Sequence, residues 1–519
     1  MDHKSTVEKI AELEQRFDVN SVRYEGLRIW PLVRMALWTQ LCHPAMKIMK
    51  RGRHQGIESH SNLLSELKAI LNRFVFPLKY VKSWSIHQRQ LKALDSYSHS
   101  DILFFSRVQY HTDQVGGMAY DRYMDPMIEF VRGQYHPLKL ELVSGTAHGS
   151  EGRFEPTVFV NHRPFFMIRG LQGTPAQLGQ RSDIENFDGL KNAVAETTGT
   201  DLCLDERCLI KQADLVRRYK YFFKEILSVL RPEAVFFSCY YEPIAMALVD
   251  ACKEMGIVTV DVQHGKQGKY HGMYTHWTKI PEDGYELLPD FFWCWGEESK
   301  HNIEKWQPSG CSHHTPLVGG NLWLAKWIRG DGFDVPHEAE SFLKWLKGAN
   351  KVIIVTLQPL DDMREIVPAH VVRAMSDSPR GWYWLIRLHP HQMAQKEQIR
   401  NYLSQQGVCR LEIDFSSTLT LYVLLREANH HITCWSSVCY EALAFHVPTT
   451  IVHPTGLAFY GEYIKQGLFT YADDDASLLR AIENKQEIGG LRESVPYIEI
   501  SKDRAEDALR AVLFGSSKQ

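Results

Sequence analysis

At 519 residues the chain is too long for a single hydrophobic core, so two domains of ordinary size with additions are expected. A composition of 44% hydrophobic, 23% charged and 11% aromatic residues excludes a disordered or fibrous protein. The net charge of −3 gives no global signal for nucleic acid or for an acidic tail.

The ten cysteines form no CxxC pair and keep no regular spacing. Cys239, Cys294 and Cys434 fall inside apolar runs, where a reduced thiol is a small apolar group. No signal peptide is read, nor any apolar run of about 18 residues. A reduced, cytoplasmic chain is the expectation.

The amino-terminal region, 1–95, is expected to be a helical, basic extension. A polar helix over about 4–17 leads into Glu25-Gly26-Leu27-Arg28-Ile29-Trp30-Pro31, where Pro31 suits the first turn of a second helix. From Lys47 to Lys92 there are ten Lys and Arg against two Asp and Glu, interleaved with Phe74, Phe76, Tyr80 and Trp84. That stretch is either a patch for the anionic inner face of a membrane or a solvated helical insertion.

Residues 96–335 are expected to form the first Rossmann-like domain. Asp101–Arg107 reads as its first core strand, and Asp121-Arg122-Tyr123-Met124-Asp125-Pro126 starts the next helix. Leu140–Val143 and Thr157–Val160 are further strands, and 165–205 reads as loops and short helices. A long amphipathic helix over about 205–230 carries Leu209, Ala213, Val216, Tyr219, Phe223 and Ile226 on one face. Ala234–Cys239, a helix bearing Ile244, Leu248 and Cys252, and Ile257–Val262 make a strand–helix–strand unit. It ends in the loop Gln263-His264-Gly265. In an open parallel sheet ligands bind beyond such strand ends, so His264 is expected to face a cleft. Asp290–Gly296 and Thr315–Val318 complete this half.

The second Rossmann-like domain is placed at 340–490, with 491–519 as a helix packing back across both. Strands are read at Val352–Leu357, Trp382–Leu388, Leu411–Asp414, His431–Cys434 and Pro448–Val452. Helices are read between them, at about 363–376, 393–405, 417–427 and 435–445. Strict alternation implies parallel sheets, hence an α/β chain of two Rossmann-like domains facing a cleft.

The candidate chemistry lies at the strand ends of this second half. Ser436-Ser437 falls where a strand meets a helix amino-terminus, which makes either a phosphate site or an ordinary N-cap. Glu441, one turn on, either accepts from ribose hydroxyls or is a solvated carboxylate. His389, beside Pro390, can donate to a phosphate. No glycine-rich P-loop or GxGxxG is present, and no helix carries histidines and a carboxylate at metal-ligand spacing, so neither a metal nor a cofactor is expected.

Candidates gathered at carboxyl strand ends of both halves resemble the GT-B glycosyltransferases. His389-Pro390 with Ser436-Ser437 is similar to the HP motif and serine pair of capsule Kdo transferases and bacterial sialyltransferases. Glu282-Asp283-Gly284 matches the acidic motif of the latter. His264-Gly265 with the same HP and serine pair resembles CDP-glycerol-type polyol phosphotransferases, although Cys434-Trp435 stands where those have Asp-Tyr. The resemblance implies a nucleotide-sugar donor, cytidine-linked, on the second domain and a glycan or lipid-linked glycan acceptor on the first. His264 or Asp283 would be the catalytic base. Gln263, Gly265, Gln358, Arg387, His389, Pro390, Ser436, Ser437 and Glu441 would hold the donor, with Arg387 or Lys266 stabilising the departing phosphate in place of a metal. The product would be a capsule, O-antigen or lipopolysaccharide glycan. A polyol phosphotransferase, an epimerase of nucleotide sugars and a non-catalytic assembly scaffold are the alternatives.

Overall fold

Runs of Val, Ile, Leu and Phe without polar alternation dictate strands buried on both faces. A computed structural model describes residues 3–42, 79–111, 113–144, 152–172, 183–199, 202, 204–307, 313–330, 337–360, 362–484 and 497–514. In the first domain β1 (Ile102–Ser106), β2 (Pro137–Val143), β3 (Thr157–Asn161), β4 (Ala234–Phe237), β5 (Val258–Val262), β6 (Phe291–Cys294) and β7 (Thr315–Val318) form one sheet. Its order is β7-β6-β5-β4-β1-β2-β3 and every pair is parallel.

The second sheet holds β8 (Lys351–Thr356), β9 (Trp382–Arg387), β10 (Leu411–Glu412), β11 (His430–Thr433), β12 (Thr449–Ile451) and β13 (Phe469–Tyr471). The order is β10-β9-β8-β11-β12-β13, again all parallel. In each sheet the chain starts at the centre, builds one side, then returns to build the other. That reversal leaves a crevice at the carboxyl ends of β1 and β4 in the first domain, and of β8 and β11 in the second.

The helices that position these crevices are α1 (His3–Arg16), α2 (Trp30–Cys42), α3 (79–94), α4 (Met124–Val131), α5 (Arg163–Gln172), α6 (Glu206–Leu230), α7 (Pro243–Glu254), α8 (Val438–Ala444), α9 (Pro454–Lys465) and α10 (Lys502–Phe514). Asp205 caps α6 by accepting from the amides of Arg207 and Cys208. The amino-terminal helices join the first domain's own core through Ile10, Leu13, Val33 and Leu37. The expected basic stretch lies outside the described residues as far as 78; the rest of it is α3.

Arg34, buried on α2, fastens the loop that follows His264. It pairs with the equally buried Glu14, donates to the carbonyls of Gly272 and Thr275 (both 2.8 Å), and lies over Trp277. Glu14 in turn accepts from the amide of Thr278 at 2.6 Å and from the Trp30 indole at 2.8 Å. Gly272 is required here, because a Cβ would sit 2.3 Å from the Trp38 ring.

The chain re-crosses between the domains at its end. Tyr497 and Ile498 pack on the second domain, the Glu499 carbonyl accepts from Asn321 at 3.0 Å, and α10 buries Ala505, Leu509 and Val512 against the first sheet. One apolar cluster also spans the halves, joining Val115, Tyr120, Trp295 and Trp323 to Tyr422, Tyr440, Tyr460 and Tyr463.

Two expected helices are each divided. Met363–Ile366 and Ala369–Asp377 are separated at Pro368, which restricts the residue before it and lacks an amide proton. Asp414–Thr418 and Leu421–Glu427 are likewise separate.

The central strand β11 carries two buried imidazoles, His430 on Thr450 Oγ1 (2.8 Å) and His431 between Thr356 (2.9 Å) and Thr449 (3.1 Å). Burial lowers both to about 3, from the ordinary histidine value of 6.5. Above that ordinary value both states are neutral and the pair is silent. Below it the unfolded chain takes protons that the folded one refuses, so stability falls as pH drops from 6.5 toward 3. The slope is up to about 1.4 kcal/mol per pH unit for each imidazole. Denaturant unfolding across this window should show the fall, and His431→Asn should reduce the slope by one imidazole's share.

Candidate functional site

The crevice of the first sheet is built from the segments that leave β1, β4 and β5. Arg107, just after β1, pairs with Glu242 at the start of α7. Between β4 and α7 the chain turns sharply enough to hold Cys239 at φ 63°, a left-handed conformation that is strained outside glycine. Its thiol lies 3.7 Å from the Glu242 carboxylate, and burial raises its pKa well above the ordinary range, so it is an inert group.

His264 stands two residues beyond β5, ringed by Tyr110, Tyr123 and Tyr241 with centroids 6.1 to 6.4 Å away. The Tyr123 hydroxyl donates to the His264 carbonyl at 2.7 Å, and the Tyr241 hydroxyl lies 3.4 Å from Nε2. Nδ1 is buried with no hydrogen-bond partner among the described residues. Burial lowers the imidazole to about 4 against the opposing pull of Glu242, leaving it neutral.

The neighbours of His264 divide in role. Gln263 is a buried tie between strands: its side chain accepts from Trp295 N at 2.7 Å and donates to the Gly265 carbonyl at 2.8 Å. Each atom of its amide thus already holds one partner within the chain. Gly265 has open space where a Cβ would point.

Asp283, the other expected base, lies apart from His264. Arg28 grips both its oxygens (2.7 and 2.8 Å), and the side chain is 72% exposed. The next residues bind His314, which precedes β7: Tyr285 N donates to its Nε2 at 3.0 Å. Asp283 thus lies at the amino-terminal edge of the sheet, opposite the edge that carries His264. Gly284, at φ 70°, serves the turn there.

In the second domain Gln358 and the His-Pro pair are likewise engaged in local structure. The Gln358 carbonyl accepts from Gln392 Nε2 at 2.7 Å, and its own amide returns to Leu357 O at 3.1 Å. His389 caps the short helix Pro390–Gln395, accepting at Nδ1 from His391 N at 3.3 Å, with Pro390 in the first turn. Burial lowers the His389 imidazole to about 4, and His391 adds to the shift.

The serine pair separates into two roles. Ser436 Oγ accepts from Val438 N at 3.3 Å, while Ser437, at the N-cap position, makes no side-chain capping bond. Glu441 is buried, accepting from Tyr422 at 3.0 Å, which removes the solvated-carboxylate alternative. Burial raises its pKa, opposed by Arg122 and Arg387. Arg387, at the end of β9, donates through Nη1 to the carbonyls of Ser416 (2.9 Å) and Leu419 (2.7 Å). Burial and the field of Arg122 lower its guanidinium to about 10.

Three bridges join the crevices. Arg122 and its partner Asp113 (2.8 Å) reach from the first domain into the field of Glu441, Tyr422 and Arg387. Lys266, two residues past His264, sets its ammonium 4.1 Å from the Phe459 ring centre and 3.8 Å from that of Tyr460 on α9. The Tyr460 hydroxyl then donates to the carbonyls of Ser436 (2.9 Å) and Trp435 (3.2 Å). Finally, Glu298 of the first domain accepts from Tyr463 of the second. His264 and the serine pair are therefore linked through one lysine and one tyrosine. Arg107, Glu242, Asp113 and Tyr460 carry no motif, and only the fold brings them to the site. Among the described residues no three His, Cys, Asp or Glu side chains gather as a metal site requires.

Two parallel-sheet domains joined across their carboxyl strand ends make this a GT-B-like α/β protein. No family model matches the chain, and no curated protein does. Among solved structures, the UDP-GlcNAc 2-epimerase of Neisseria meningitidis bound to UDP-GlcNAc is similar at 12% identity and a TM-score of 0.49, over 80% of this chain and 99% of that one. HepE of Anabaena in complex with UDP and glucose gives 12% and 0.39, over 81% and 98%. A UDP-glucosyltransferase of Polygonum tinctorium gives 10% and 0.41, over 80% and 94%.

The Lys266 ammonium is buried without a hydrogen-bond partner among the described residues, and burial lowers it to about 8. Lys266→Met keeps the stem against Phe459 and Tyr460 and removes a buried charge that two ring faces and the field of Glu298 only partly offset. It should raise stability by about 1 kcal/mol while weakening the binding of any phosphate-bearing ligand. Paired melting and calorimetric titrations of the variant test both halves.

Proposed function

We propose that this chain is a glycosyltransferase that moves a sugar from a nucleotide-activated donor to a hydroxyl of a surface-polysaccharide acceptor. The observation that carries the reading is the opposed pair of crevices: a neutral imidazole at the strand ends of one sheet, and Arg387, Glu441 and Ser437 at those of the other, with Arg122 reaching between them. The donor phosphates lie against Arg387, the Ser437 hydroxyl and His389, while Glu441 accepts from the ribose. The acceptor enters over the tyrosine ring around His264, which takes the proton as the glycosidic bond forms. The nucleotide leaves as an anion held by fixed cations. Asp283, Gln263 and Gln358 have no part in this scheme.

A cytidine-linked donor and a capsule, O-antigen or lipopolysaccharide acceptor follow from the motif resemblance of His389-Pro390 and Ser436-Ser437. An acceptor carried on a lipid would bring the reaction to the inner face of a membrane.

Thermal shift across CMP, CDP, UDP and GDP should show a cytidine nucleotide raising the melting temperature, since a ligand that binds only the folded state stabilises it. No shift with any of the four favours a scaffold. His264→Ala should lower transfer by about 10² to 10⁴ and leave nucleotide affinity nearly unchanged. Full turnover in that variant removes His264 from the mechanism. Mass spectrometry separates the remaining outcomes: a product that has gained a phosphate indicates polyol phosphotransfer, and an altered donor without acceptor indicates epimerisation.

A further inference from the structure

Helix α3 lies along the edge of the first sheet, far in the chain from either crevice-forming loop. Gln90 exchanges two hydrogen bonds with Asn161 of the edge strand β3 (2.7 and 3.2 Å), and His87 is buried against Phe165 of α5 and bonded to Glu225 at 2.6 Å. With one face so committed, the other turns outward. It presents Val81 at 60% exposure and Trp84 at 50%, one helical turn apart. Beside them, Met167 of α5 is 45% exposed, with its sulfur 3.6 Å from the Ser83 hydroxyl. Lys79, Lys82, Arg89 and Lys92 of α3 and Arg163 of α5 are exposed around this apolar centre.

The charge pattern identifies the partner. Residues 79–94 hold four Lys and Arg and no Asp or Glu, and residues 157–172 hold no carboxylate either, in a chain whose net charge is −3. Glu225, the carboxylate packed beneath, is already engaged by His87. A protein partner of mixed surface charge needs no such exclusion of acids. A bilayer bearing anionic headgroups does, and it also accepts Trp and aliphatic side chains at the headgroup boundary.

We infer that the outer face of α3 and α5 is a peripheral docking surface for an anionic lipid bilayer. Val81, Trp84 and Met167 enter the interface while the five cations meet headgroup phosphates. This goes beyond the transfer chemistry and stands whatever nucleotide the cleft takes.

Flotation of the full chain with vesicles tests it. The protein should float with phosphatidylcholine containing about a third phosphatidylglycerol at low salt and stay behind with pure phosphatidylcholine. Lys82→Glu should weaken binding about fivefold or more, on the scale of one surface cation, and Trp84→Ser by a similar factor. Both positions are exposed, so the melting temperature of each variant should match the parent. Failure of the parent to bind anionic vesicles, or equal binding by both variants, overturns the surface. Self-association of the parent without vesicle binding overturns it in favour of a protein partner.

Discussion

The structure turns on charges held out of water between two domains. Arg122, paired with Asp113 in the first domain, lies within the field of Glu441 and Arg387 at the carboxyl strand ends of the second. Each would be unfavourable alone in such surroundings; together they offset one another.

The amino-terminal helices act on the site at a distance. Glu14 and Arg34, fully enclosed, hold the backbone of 272–278, and so hold the far end of the loop whose near end is His264. Trp38 stacks on His271 at 4.9 Å and closes the middle of that loop. A segment that reads as an extension is thus a clamp on the loop that follows His264. Its apolar partners lie in the first domain's core, so the clamp shares that core's rigidity.

Much of this architecture was legible from residue order. Unbroken apolar runs such as Val235–Phe237 and Ile353–Val355 can only be strands covered on both sides, and their alternation with amphipathic helices dictates parallel sheets. Strand β2 begins at Pro137, ahead of the expected Leu140, and holds Lys139 and Glu141, which look like surface residues. They are buried only because Asp125, His111 and Arg153 meet them from elsewhere in the chain. The site was legible in part for the same reason. Strand ends at His264, Arg387 and Ser436 can be read locally, whereas the exclusion of Asp283 depends on Arg28, far away in sequence. Local pattern reports where a strand stops; it does not report which distant cation has claimed a carboxylate.

His264 and Lys266 sit two residues apart on one stretch of backbone. Lys266 is lodged between two rings of the opposite domain, so the halves cannot part without pulling on the peptide that carries the imidazole.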